Sequence, residues 1–413
     1  MNALVESISD HTSQKLITVS SPLDDPRQAR LHDALDDLRS IQHRRVLDGQ
    51  QVWDLSMVNP DLAPPRIVLD RLLESVTKPT NHRYAVSRGV RRLREAFAVK
   101  YSTRFGVSLN PETQVCVCLG SKDATFHALR VLIKAGDSVV VAAPSYPAHP
   151  SAVALAGAKP IPWHVSADPN EAAKTLSSLL VASAAKVVLL NFPSNPAGAV
   201  VDSEWWREIG RVCAAHQATI INDFVYGEMT FSDAPAISAL HSEQSGARCV
   251  EVYSLSKAYS VPGWRVGALV GNAEVVNAVS RIKSYADYGL FLPLQYAAAV
   301  ALTTSDDIVR PTTQIYERRL RVLAAGLQGI GWKPRIPRAG ACVWVEYPRT
   351  LVEDVEVGQS RSLSVANRLL RACGVVVTPG IVFGEDYDAF VRFAAVTTEE
   401  RLRDVVTIMG AER

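Results

Sequence analysis

Residues 251–271 read EVYSLSKAYSVPGWRVGALVG. Lys257 follows an apolar run and two hydroxyls, Ser254 and Ser256, and Arg265 stands eight residues on between Gly263 and Gly267. A lysine in apolar surroundings beside a fixed cation loses proton affinity, because charging it is costly. The neutral amine is then free to attack an aldehyde carbonyl. Two serines and an arginine suit a phosphate, which arginine grips with two parallel hydrogen bonds.

Outward from this stretch, short apolar runs alternate with helical patterns. VCVCL leads to SKDATFHALRVLIKAG, SVVVAAP to a helix near 148–156, and KVVLLNF to a helix at 203–216; ATIINDF and CVEVYSL follow. Apolar runs of this kind, separated by helices, are strands buried on both faces. The pattern predicts an α/β fold with a mostly parallel sheet. Helices are expected over 31–48, 66–78, 88–105, 272–286 and 306–329. After them ACVWVEY, a helix near 362–373, VVVTPG, FVRFAAV and a helix at 398–409 mix into a smaller α+β unit. The expected organisation is a flexible arm over 1–30, a small domain from 31–65 and 306–413, and a large domain over 66–305. The basic face of the 88–105 helix (Arg88, Arg91, Arg92, Arg94) reads as a solvated face or subunit contact.

Four further stretches bear on the same chemistry. Asp223 ends the run ATIIND and Tyr226 stands three residues later. A carboxylate there can keep a pyridine nitrogen protonated, which makes the ring an electron sink. Asn195 in NFPSNPAGAV can donate to a phenolic oxygen, and Tyr146 in APSYPAHP can stack on a ring. Gly120, Ser121 and Lys122 open a helix after a strand, where exposed N–H groups favour an anion. Each alone is also an ordinary turn, cap or packing residue. Together with a Schiff-base lysine and a phosphate cradle they point to pyridoxal 5'-phosphate, with pyridoxamine 5'-phosphate as its aminated form.

These motifs, in this order, resemble the class I/II aminotransferases of the fold-type I PLP-dependent enzymes, in particular the alanine-aminotransferase-like branch acting on small neutral amino acids. The similarity runs from about Asp54 to about Val406 and includes DLSMVNPD, NHRYAVSRGVRRLREAF and FGEDYDAFVRFAAV. It implies a large domain with a mostly parallel seven-stranded sheet and a small α+β domain. It implies that Lys257 forms the aldimine and shuttles the proton, that Asp223 meets the pyridine nitrogen, and that Tyr226 and Asn195 meet the phenolic oxygen. Tyr146 resembles the stacking aromatic, and Gly120, Ser121, Lys122, Ser254, Ser256 and Arg265 the phosphate cradle. Arg392 resembles the fork for the substrate carboxylate, with Asn195 and Val58 beside it. Tyr84 resembles the tyrosine that reaches the phosphate of a neighbouring subunit, which implies a homodimer with shared sites. Val58 and Val382 replace smaller residues usual in the family, and Ala197 a threonine. The expected reaction moves an amino group between an L-amino acid and a 2-oxo acid. Side-chain elimination, replacement or cyclisation on the same scaffold uses every one of these cofactor residues and stays open. Asp287 in SYADYGLF reads as a helix-end carboxylate or as a partner for a cationic side chain.

Composition narrows the field. The 413 residues carry 44 Lys and Arg against 42 Asp and Glu, a net charge of +2. That balance argues against nucleic-acid or polybasic membrane binding. The six cysteines have neither disulfide-framework nor zinc-site spacing and read as buried small hydrophobes in a reducing compartment. No basic stretch followed by an apolar one opens the chain, so a cytoplasmic protein is expected. A DNA-binding regulator carrying such a domain would need an added helix-turn-helix. The roughly 50 residues before Val52 are too few and too acidic for one.

Overall fold

The structure, a computed structural model, describes residues 26–231, 236–305, 308–356 and 358–412, without the side chains of 26–29. Its main sheet has seven strands. They are β2 (Val115–Cys118), β3 (Ser138–Ala143), β4 (Lys159–His164), β5 (Val187–Leu190), β6 (Thr219–Asp223), β7 (Arg248–Ser254) and β8 (Gly267–Gly271). The order is β2-β8-β7-β6-β5-β3-β4, with only β8 antiparallel to its neighbours. VCVC and VVLL are buried at every position, as strands covered on both faces must be. The expected fold class is therefore observed.

Helices α4 (Ser121–Leu132), α5 (Ala148–Leu155), α6 (Pro169–Ser183), α7 (Ser203–Ala215) and α8 (Ala273–Ala286) connect or follow these strands. Two start on aspartates: Asp168 accepts from the Glu171 N–H, and Asp202 from the Trp205 N–H, satisfying donors the helices leave open. The sequence reading passed over β4 and α6. KPIPWH carries two prolines, which remove ladder donors. β4 tolerates them because it lies at the sheet edge, paired with β3 alone. α9 (Leu292–Thr303) was also passed over; its run of alanines is buried nearly all round and shows no amphipathic stripe.

A second core gathers Leu55, Leu320, Leu323, Leu327, Val343, Val391, Phe393, Leu402 and Val405. Around it β12 (Thr378–Pro379), β13 (Phe390–Ala394), β10 (Cys342–Glu346) and β9 (Lys333–Arg335) form an antiparallel sheet in that order. β1 (Trp53–Asp54) pairs with β11 (Val375–Val376), so both ends of the chain join this unit. Helix α1 covers Pro26–Leu47 and begins upstream of the expected Leu31; the rest of the expected arm, 1–25, lies outside the described residues. The basic face on α3 (Arg91–Phe105) is only partly solvated. Arg94 is buried, donating to the Gly89 carbonyl at 3.1 Å and pairing with Glu112 at 2.9 Å. All six cysteines are buried and free.

On β7, Glu251 is wholly buried and receives hydrogen bonds from Tyr101 Oη, Asn222 Nδ2, Ser238 Oγ and the Ala239 N–H at 2.7–3.0 Å. Burial outweighs these bonds and pushes its carboxyl up to about 7. The folded chain thus holds this proton more tightly than the unfolded one. The stability it contributes is complete below the ordinary glutamate range and is lost as pH rises through about 7. Glu251→Gln lacks the titration, so the melting-temperature advantage of wild type over it should shrink between about pH 5 and about pH 8. A gap that widens with pH contradicts this assignment.

Candidate active site

The carboxyl ends of the parallel strands all open on one edge of the sheet, where open α/β sheets place their ligands. Gly120 follows β2, Tyr146 follows β3, Asn195 follows β5, Asp223 ends β6, and Lys257 follows β7. Arg265 precedes the antiparallel β8 and so returns to the same edge.

Lys257 donates to the main-chain carbonyl of Val58. Burial in the first place, with Arg392 and Arg265 adding repulsion, brings its amine down to about 8 from an ordinary 10.5, although Cys342 and Asp223 act in the opposite direction. The Val58 backbone therefore meets the amine through its carbonyl.

Asp223 is 4% exposed. One carboxylate oxygen lies 3.0 Å from His149 Nε2; the other is buried without a partner. A buried carboxylate oxygen left bare calls for a donor. A protonated pyridine nitrogen would supply it. Asn191 donates to the Asp223 carbonyl at 2.7 Å and accepts from the Asn195 N–H at 2.9 Å, which ties the two motifs together. Tyr226 is buried, and burial holds its hydroxyl well above the usual tyrosine range.

The cradle is built close to backbone. Gly120 has φ +85°, and a Cβ there would lie 2.3 Å from Arg265 Nη2. It precedes α4 without any side-chain cap, so the first N–H groups of that helix are open to an anion. Arg265 Nη2 reaches the Leu119 carbonyl at 3.5 Å. Ser254 and Ser256 are buried and joined through their hydroxyls at 2.9 Å. Ser121 opens α4, while Lys122 is exposed with its Nζ 5.9 Å from the centre of the Tyr146 ring. A cavity of about 420 Å³ is lined by Lys122, Tyr146, His149 and Asp223, among others. The bare oxygen, the glycine cradle and the depressed amine together fit pyridoxal phosphate.

Arg392 comes from the other core. Along β13, Val391 and Phe393 turn into the second core, so the alternation sends Arg392 to the opposite face with Ala394. It is 6% exposed, donates to Asn195 Oδ1 at 2.9 Å, to Thr378 Oγ1 at 3.1 Å and to the Ser56 carbonyl, and stacks 5.1 Å from the Phe383 ring centre. Its Nε is buried without a partner.

Tyr84 and Asp287 lie apart from this arrangement within the chain. Tyr84 is 83% exposed and lies against Tyr288, ring centres 4.5 Å apart, so its own chain does not carry it to the cradle. Asp287 caps α8 and is engaged within the chain by Lys283 at 2.7 Å and by the Gly289 N–H at 2.6 Å. It is a helix-end carboxylate, not a free partner for a cationic substrate. His149, Asn191, Ser56 and Thr378 went unread. Only His149 left a trace, three residues after Tyr146 in the same APSYPAHP stretch and in the first turn of α5.

Residues 50–408 match the family model described as aminotransferase class I and II. The chain belongs to that family and is a PLP-dependent aminotransferase of fold type I. Among its relatives is the glutamate-pyruvate aminotransferase AlaC of Escherichia coli, 34% identical over 90% of this chain and 88% of that one. An LL-diaminopimelate aminotransferase of Dehalococcoides mccartyi is also 34% identical, over 88% of this chain and 92% of that one. The substrate-bound structure of BacF from Bacillus subtilis superposes with a TM-score of 0.82 at 30% identity, covering 91% of this chain and 94% of that one.

The depressed lysine has a measurable consequence. In the protein freed of cofactor, the neutral amine appears as pH rises through about 8. The rate at which added pyridoxal phosphate is captured should climb to a plateau with a midpoint there. A midpoint near the ordinary lysine value contradicts the effect of burial.

Proposed function

We propose that the site takes an α-amino acid with its carboxylate on Arg392 and its amino group toward Lys257. The observation that carries this is a buried guanidinium with an unpartnered Nε, set close enough to Lys257 to depress its amine. A carboxylate supplies the two acceptor oxygens that such a fork matches. When bound, pyridoxal phosphate supplies the electron sink that stabilises negative charge at the substrate Cα. The other roles belong to the chain. Lys257 would hold the cofactor through Nζ and, once released, would move the substrate's Cα proton to the cofactor's aldehyde carbon. Asp223 would keep the pyridine nitrogen protonated through its bare oxygen, itself oriented by His149. Tyr226 and Asn195 would meet the phenolic oxygen, and Tyr146 would cover the ring. Gly120, Ser121, Lys122, Ser254, Ser256 and Arg265 would hold the phosphate. Cycling through pyridoxamine phosphate then returns the amino group to a 2-oxo acid. Val58, whose carbonyl accepts from Lys257, would bring β-branched bulk to the substrate side, which favours small side chains.

We further infer a homodimer. Tyr84, Val86, Tyr285, Tyr288 and Phe291 expose apolar surface, from 42% to 91% of each residue. Exposed aromatic groups of this kind mark association surfaces. From this face Tyr84 would reach the cradle of the second copy. A cytoplasmic location is in keeping with six free cysteines and with the absence, among the described residues, of any helix long and apolar enough to cross a membrane.

Two variants test the assignments. Arg392→Ala should lower kcat/KM for the preferred amino acid by about 10² to 10³, the loss of two charge-assisted hydrogen bonds, and should erase preference over the amine lacking the carboxylate. Retained discrimination would move the carboxylate elsewhere. Lys257→Ala should cost about 10³ or more in turnover while phosphate binding persists. Wild-type turnover in that variant overturns the role of Lys257.

A further inference from the structure

Lys283 is 0% exposed, and no part of the reaction calls for it. Its ammonium lies between two carboxylates, Asp287 at 2.7 Å and Asp123 at 3.4 Å. A buried cation is tolerated only when paired in this way. Together with His127 the two carboxylates resemble a cation site, with their ligating atoms within 4.8 Å of one another. The lysine already supplies the positive charge there.

What Asp123 does next connects this cluster to the cradle. Its Oδ2 accepts from the Leu119 N–H at 2.9 Å, while its Oδ1 lies 3.2 Å from His127 Nε2. Leu119 is therefore held from both sides: its N–H by Asp123, its carbonyl by Arg265 at 3.5 Å. The next residue is Gly120, whose positive φ opens the first turn of α4 to an anion. A carboxylate in that same turn would repel a phosphate if it were uncompensated. Lys283, shared with Asp287, offsets part of that charge and keeps the carboxylate turned back on Leu119. At the other end, Asp287 holds the Gly289 N–H, and Gly289 packs against Val86 so closely that a Cβ would sit 2.6 Å from the Val86 carbonyl.

We propose that Lys283 is a positioning residue for the phosphate cradle, setting the Leu119–Gly120 turn through Asp123 and offsetting the charge of that carboxylate beside the bound phosphate. The role rests on the reading of this site as a pyridoxal phosphate site. It predicts a loss that falls on the phosphate and not on the aldehyde.

The test compares the affinity of cofactor-free protein for pyridoxal phosphate and for pyridoxal, the same aldehyde without phosphate. Wild type should prefer pyridoxal phosphate strongly; equal affinity would contradict the cofactor reading itself. In Lys283→Met the preference should fall about tenfold, the size of one charge-assisted hydrogen bond, while pyridoxal binds as before. Lys100→Met removes another buried lysine, paired with Glu228 at 3.4 Å, and should lower thermal stability without moving the preference. Asp287→Asn leaves the Asp123 pair in place and removes the carboxylate that competes for Lys283, so the preference should hold or rise; a severalfold fall there overturns the proposal even where Lys283→Met does not fold. A preference within twofold of wild type in folded Lys283→Met also overturns the proposal.

Discussion

The central constraint is the cost of burying the charge on Lys257. An ammonium sealed under the carboxyl end of β7, with Arg392 and Arg265 nearby, loses proton affinity, and its amine falls to about 8. Everything that surrounds it follows from keeping that amine available. Among the described residues no carboxylate is hydrogen-bonded to it: the Val58 carbonyl accepts its hydrogen bond instead, a neutral acceptor that orients without strongly stabilising charge. Asp223 acts on it only through space, because its own oxygens face His149 and an open position.

Such a site needs groups from distant parts of the chain, and the fold supplies them by two separate routes. The parallel strands deliver Gly120, Tyr146, Asn195, Asp223 and Lys257 to one edge simply because each strand runs the same way. Arg392 comes from the other core, where β13 alternates between inward valine and phenylalanine and outward arginine, while Val58 packs into the first core. The contact between the two is polar: Arg392 donates to Asn195 across the junction. A substrate carboxylate would add to that contact, so binding and the relative setting of the two cores are linked.

The local motifs were legible because strand, turn and functional residue are contiguous. LSK after β7, IND at the end of β6 and LGSK at the start of α4 each carry their structural context with them. Arg392 was legible only through the resemblance of FGEDYDAFVRFAAV to the family's C-terminal segment. What escaped depended on pairing between segments far apart. β4 could be a strand only because it sits at an edge, and KPIPWH contains nothing that says so. α9 is buried all round and lacks a face. Lys283 meets Asp123 across 160 residues, and the partner of His149 is Asp223, 74 residues away. Tyr84 cannot be placed at a cradle by one chain at all, since its ring lies exposed against Tyr288.

The Escherichia coli and Dehalococcoides mccartyi relatives are aminotransferases of quite different substrates, from glutamate and pyruvate to LL-diaminopimelate, each about a third identical to this chain. The most direct test of the chemistry is a single half-reaction. Purified holoenzyme is mixed with one amino acid and no acceptor, and 2-oxo acid is counted against enzyme while the absorption spectrum is followed. Transamination gives one equivalent of 2-oxo acid per site, conversion to the pyridoxamine form, and then no further product until a 2-oxo acid is added. Continued turnover without an acceptor would contradict the account and assign the site to elimination, replacement or cyclisation.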